Sequence, residues 1–124
     1  MEQALRVDVR YLSPLVMAID LQGDLTRHAE DALLRLRHWQ DGLDDGRQYL
    51  ILNAAGVPYI NSAGIAVLIR LSRAGKQGNY LTFAYGITPH YEKLFRMVGL
   101  TDYVMIYPDE QAILERIALL EQPG

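Results

Sequence analysis

The chain reads as a single-domain α/β protein: a mixed β-sheet with helices mainly on one face. Three observations predict this. Leu5, Val7 and Val9 alternate with charged residues, and the apolar run over 16–21 follows a Ser13-Pro14 turn, so the chain begins with two strands that suit a hairpin. Apolar runs of strand length then recur at 49–52, 80–84 and 104–107, each followed by a stretch with helical spacing. The crossovers between these runs are long enough for parallel pairing. The predicted order is ββαβαβαβα over residues 1–124 as one domain.

Each element has its own signals. Arg6, Asp8 and Arg10 interleave with Leu5, Val7 and Val9, the pattern of a half-exposed edge strand. The strand over 16–21 ends at Gly23. From Thr26, a candidate N-cap, the period changes, and Ala29, Leu33, Leu36 and Trp39 fall on one face of a predicted first helix that stops near Asp41-Gly42. Tyr49-Leu50-Ile51-Leu52 has little polar alternation, which marks a central strand buried on both sides. A second helix is expected from about Ser62 to Ala74, stopped by Gly75 and Gly78. Thr88-Pro89 reads as a cap followed by proline at the first helical position, with Leu94, Phe95 and Val98 as the stripe and Gly99-Leu100 as the stop. Pro108-Asp109 opens the last helix, whose stripe is Ala112, Ile113, Ile117 and Leu120. Residues 121–124 are expected to fray. Leu50, Leu52, Val67, Leu68, Leu81 and Phe83 are the predicted core.

Composition narrows the function. Half of the 124 residues are hydrophobic, which argues against disorder. Twelve Lys and Arg against 15 Asp and Glu give a net charge of −3, a poor match to extended nucleic-acid contact. There is no cysteine, hence no disulfide, thiolate ligand or thiol nucleophile. No apolar run approaches the roughly 20 residues of a membrane span, and the N-terminus has no signal-peptide pattern. A cytoplasmic protein with no membrane or nucleic-acid partner is the expectation.

Catalytic patterns are weak. His28, His38 and His90 share no helical i, i+4 pairing of a metal site and read as surface or capping residues. The segment Ile60-Asn61-Ser62-Ala63-Gly64 lacks the first glycine of a G-x-S-x-G elbow. Neither a P-loop nor a G-x-G-x-x-G run occurs. Asp20, Asp24 and Asp102 read as solvated turn carboxylates. The chain thus points to a binding or switch domain, with no catalytic residue, cofactor or metal assigned.

The segment around Ser62 stands out because it joins a strand to a helix. Free backbone N–H groups and the helix dipole favour negative charge there. Either Asn61 or Ser62 can cap the helix. If Asn61 does, Ser62 is the first helical residue and its hydroxyl can face outward. Ala63 and Gly64 are small, leaving room for a close approach.

Together, Leu21-Gln22-Gly23-Asp24-Leu25, Ile60-Asn61-Ser62-Ala63-Gly64-Ile65, the Gly75–Gly78 spacing and Leu94-Phe95 followed by Gly99-Leu100 resemble the STAS domain family of anti-sigma factor antagonists. The resemblance spans almost the whole chain. It implies a phosphoacceptor at Ser62, modified by a partner serine kinase that is itself the anti-sigma factor, and a serine phosphatase that reverses the modification. It also implies a partner-binding surface at Gly23, Asp24, Thr26, Asn61, Ser62, Ala63 and Gly64. The family pattern has aspartate where this chain has Asn61, and often a second aspartate where it has Thr26, so this rim carries less negative charge. An unphosphorylated scaffold or a small-ligand-binding STAS domain are the alternative roles the family offers.

Overall fold

A single five-stranded sheet runs in the spatial order β1-β2-β3-β4-β5. The computed structural model describes residues 2–123. The strands are β1 (Arg6–Tyr11), β2 (Val16–Gln22), β3 (Tyr49–Gly56), β4 (Leu81–Tyr85) and β5 (Val104–Ile106). β1 is antiparallel to β2, and every later neighbour is parallel. The helices are α1 (Ser62–Gly78), α2 (Pro89–Met97) and α3 (Glu110–Leu120). The mixed sheet and single-domain α/β class are those the sequence predicts.

The period-2 geometry of β3 explains its unbroken apolar run. Leu50 and Leu52 face one side, where Met17, Ile19 and Leu21 of β2 pack with Val67, Leu68 and Leu71 of α1 and Phe95 of α2. Tyr49 and Ile51 face the other, where Val16, Ala18 and Phe83 meet Ile113 and Ile117 of α3. Two of the three α-helices thus cover one face, and β3 is central with both sides buried.

The first crossover departs from the predicted helix. The segment after Thr26 holds a single π-type turn at Glu30–Leu34 and a 3₁₀ turn at Trp39–Asp41. Its bonds alternate in span: the Ala29 N–H donates to Thr26 O, Arg35 N–H to Glu30 O and Leu36 N–H to Leu33 O. The Leu33 carbonyl also accepts the Trp39 indole N–H at 2.8 Å. Ala29, Leu33 and Trp39 are buried as their spacing implied, but Leu36 is 47% exposed. The apolar pattern therefore records which residues touch the sheet, not a continuous i→i+4 ladder.

Further differences are local. α1 runs through Gly75 to Gly78 and ends at Asn79, which adopts the left-handed conformation at φ 61°. Gly75 is not a stop but a contact point: a β-carbon there would lie 3.0 Å from the Thr82 hydroxyl and 3.2 Å from Tyr80. Leu81 opens β4 on the exposed side, and Thr82 takes the buried place beside Phe83. Val98 and Leu120, expected on helix stripes, are solvent-exposed. Thr88 and Asp109 cap α2 and α3 by accepting the N–H groups of Tyr91 and Ala112, and Leu100 is buried behind Gly99. Beyond α3, Glu121 accepts the Tyr49 hydroxyl. Met1 and Gly124, the last residue of the tail expected to fray, lie outside the described residues. No helix among the described residues is long and apolar enough to cross a membrane.

Candidate functional site

The two turns singled out in the sequence meet at the C-terminal end of the parallel strands. Leu25 and Ile60 form a parallel bridge. The Leu25 N–H donates to Tyr59 O at 2.9 Å, and the Asn61 N–H to Leu25 O at 3.1 Å. The Gly23 N–H donates to Gly56 O at 3.1 Å. The chain from 57 to 61 is therefore held by backbone bonds on one side. On the other, the Ile60 N–H donates to the Tyr91 hydroxyl of α2 at 3.0 Å. This clamp fixes the direction in which α1 begins.

Asn61 is the N-cap. Its extended backbone places Oδ1 2.9 Å from the Gly64 N–H, which satisfies one of the unpaired amides of the first turn. Ser62 is thereby the first residue of α1 and is exposed. The Ser62 and Ala63 N–H groups have no acceptor within the helix, because the residues four before them, Pro58 and Tyr59, lie outside it. A dianion at the Ser62 hydroxyl would sit over the positive end of a helix of 17 residues.

The Gly23–Thr26 turn is brought next to this serine, but its side chains point inward. Asp24 and Thr26 are 7% and 3% exposed. Asp24 accepts the Gln3 N–H at 2.8 Å, and the Thr26 hydroxyl donates to Glu2 at 2.8 Å while accepting the His28 N–H at 3.3 Å. Asp24 is thus a structural acceptor and not a solvated turn carboxylate. Gly23 has φ +110°, and a β-carbon on it would stand 2.4 Å from Ala4 O. Gly64 is equally internal. The space beside it is filled by the Leu25 carbonyl, so the room expected for a partner is occupied by the chain itself.

Side chains that the residue patterns did not single out define the exposed rim. Tyr59 is 50% exposed, although its carbonyl is committed to Leu25. Pro58 and Ala66 are also exposed, the latter one turn along α1 from Ser62. Tyr91, the clamp on Ile60, carried no sequence signal, because its role depends on the packing of α2 over the loop.

Charge is organised on the opposite face. Asp20 lies in β2, not in a turn. Arg10 Nε donates to Asp20 Oδ2 at 2.7 Å and Arg10 Nη2 to Asp20 Oδ1 at 2.9 Å, and Asn53 donates to the same carboxylate at 2.8 Å. Burial pushes the Asp20 carboxyl up, but the Arg10 and Asn53 bonds outweigh it and hold it below the usual range. Arg10 also contacts Glu110 at 2.6 Å, which ties the hairpin to α3. Asp102 is exposed, as are His28, His38 and His90.

Comparison with known proteins gives a consistent result. The STAS domain model matches residues 10–113. Among solved structures, a single-substitution variant of RsbS from Moorella thermoacetica has a TM-score of 0.75 at 17% identity, covering 93% of this chain and 97% of that one. The anti-sigma factor antagonist SpoIIAA in its unphosphorylated form has a TM-score of 0.69 at 19% identity, with 90% and 96% covered. A sulfate transporter family protein from Wolinella succinogenes has a TM-score of 0.70 at 16% identity, with 91% and 93% covered. At these identities the likeness to each structure is one of fold.

Proposed function

The chain belongs to the STAS domain family, and from that premise we propose that it is an anti-sigma factor antagonist, a protein-binding domain switched by phosphorylation of Ser62. The observation that carries this reading is the position of Ser62: exposed, first in α1, with its neighbour Asn61 already acting as the cap. A serine needed for capping would have its oxygen engaged by the backbone. Here the hydroxyl is left over, beside two amides that favour an anion.

The switch is electrostatic. A phosphoserine adds about −1.5 to −2 charge at neutral pH. The helix start tolerates that charge in the free domain. Within a packed interface, desolvation and partner carboxylates oppose it, and a loss of a few kcal/mol lowers affinity on the order of 100-fold. The partner is an anti-sigma factor serine kinase, which supplies the catalytic base, and a serine phosphatase resets the cycle. The domain itself acts by binding, without catalysis or cofactor, in the cytoplasm. The exposed surface offered to the kinase is Ser62 with Tyr59, Pro58 and Ala66, and the buried Gly23–Thr26 turn supports it from behind.

Incubation with ATP and a cognate anti-sigma factor kinase, followed by mass spectrometry, tests the assignment. One phosphate on Ser62 is expected. Stoichiometric phosphate on Thr26, Ser72 or Thr88 with none on Ser62 would refute it. No transfer, with tight binding retained, would favour the unphosphorylated scaffold role.

A further inference from the structure

β1 stands at one edge of the sheet with six residues, and β5 closes the other edge with three. The direction of the free backbone groups on β1 follows from the turn that ends it. The Leu12 N–H donates to Val16 O at 3.0 Å, which continues the register that sets Arg10 opposite Ala18 and Arg6 opposite Gln22. Hydrogen-bonded and non-bonded pairs alternate along an antiparallel ladder. The even residues Arg6, Asp8 and Arg10 therefore direct their N–H and C=O groups at β2, and Val7, Val9 and Tyr11 direct theirs outward. No loop or turn among the described residues takes these groups up.

Protein edges are usually blunted by proline, a bulge or charged side chains, and charges on an edge stop opposing a second copy only where opposite signs can face each other. β1 has no proline, pairs with β2 without a register shift, and carries charges that alternate in sign at Arg6, Asp8 and Arg10. Val9 and Tyr11 are 39% and 53% exposed. We propose that β1 pairs antiparallel with β1 of a second copy of this chain, about a two-fold axis through Val9, to give a continuous ten-stranded sheet.

The register is selected by two requirements. Outward-facing residues must face one another, which excludes any axis between two residues. Opposite charges must also face, which excludes an axis through Asp8, because that sets Asp8 against Asp8 and Arg6 against Arg10. An axis through Val7 satisfies both but overlaps only residues 6–8 of the strand. The axis through Val9 overlaps residues 7–11, with Val9 against Val9, Val7 against Tyr11 and Asp8 against Arg10 on both sides. Arg10 is prepared for this contact. Its Nε and Nη2 are held by Asp20 and Glu110, and Nη1 carries no partner among the described residues. Among the described residues Asp8 is held only by Arg6 at 3.1 Å, an exposed pair that can exchange. The pairing is independent of the function proposed for Ser62. It leaves that turn free and would carry two such turns in one particle, so that a two-site partner binds with avidity.

Sedimentation velocity of the intact chain and concentration-dependent amide exchange test the pairing. A short edge contact of this kind predicts a reversible dimer with a dissociation constant on the order of 10–100 µM. Raising the concentration should slow exchange at Val7, Val9 and Tyr11, with no change at Asp8 and Arg10. Asp8→Arg should weaken the dimer at least about tenfold by setting arginine against arginine. Val9→Pro removes an outward N–H that β2 does not use and should abolish it; unchanged circular dichroism of both variants excludes misfolding. A monomer throughout overturns the proposal, as does a dimer in which exchange at the odd residues ignores concentration or both variants associate like the parent.

Discussion

Gly64 and Leu25 are in such close contact that a β-carbon on Gly64 would stand 1.9 Å from the Leu25 carbonyl oxygen and 2.4 Å from its carbon. The same oxygen accepts the Asn61 N–H, so it cannot move away without breaking the bond that seats the cap. Gly64→Ala should therefore destabilise the fold by about 2–3 kcal/mol through overpacking against backbone. Urea titration measures it, and a loss below about 0.5 kcal/mol would show that the two turns are not locked together.

Asn61 combines two roles that substitution separates. Asn61→Ala removes the acceptor for the Gly64 N–H and should cost about 1 kcal/mol. Asn61→Asp keeps the acceptor and adds a negative charge at the helix start, so it should be neutral or stabilise by about 0.3–1 kcal/mol at pH 7. If the missing charge tunes kinase recognition, Asn61→Asp also changes the rate of transfer to Ser62. An unchanged rate would make Asn61 a cap alone.

Much of this site was legible because its signals are local. The strand run over 49–52, the following Asn61-Ser62 and the Thr88-Pro89 pair each state their conformation in adjacent residues, and the structure has β3, the α1 cap and the α2 cap there. The illegible parts depend on residues far apart. Whether 26–40 forms a helix was decided by bonds of mixed span and by the Trp39 indole on Leu33. Gly75 serves inside α1 as a close contact to Thr82 and Tyr80, a role set by residues beyond the helix, and the stop falls at the left-handed Asn79. The inward turn of Asp24 and Thr26 depends on the chain at Glu2 and Gln3, which no pattern around Gly23 announces.

Tyr91 and Tyr59 should separate stability from binding. Tyr91→Phe leaves the Ile60 N–H without its acceptor and should cost about 1–3 kcal/mol, with faster amide exchange over 57–61. Tyr59→Ala, at a half-exposed side chain beside Ser62, should leave the unfolding midpoint nearly unchanged but weaken kinase binding roughly tenfold. Equal affinity of Tyr59→Ala and the parent would move the interface away from this rim.

Tyr80 predicts an alkaline limit to stability. Its hydroxyl donates to Trp39 O at 3.0 Å in a buried setting, and burial pushes its pKa up to about 12. Between the ordinary value near 10 and about 12, the folded chain holds a proton that the unfolded chain releases. The contribution of this group is complete below pH 10 and falls as pH rises through that window. Tyr80→Phe should lower stability at pH 7 and flatten the loss above about pH 10. An identical pH slope in both proteins would rule out Tyr80 as its source.

Calorimetric titration of the anti-sigma factor kinase with the unmodified chain, the Ser62-phosphorylated chain and Ser62→Ala tests the central claim most directly. The unmodified chain and Ser62→Ala should bind alike, because the hydroxyl makes no bond that the cap requires. The phosphorylated chain should bind on the order of 100-fold more weakly, with its unfolding midpoint unchanged or raised, since the added charge sits at the N-terminus of α1. Equal affinity of the phosphorylated and unmodified chains would contradict the account.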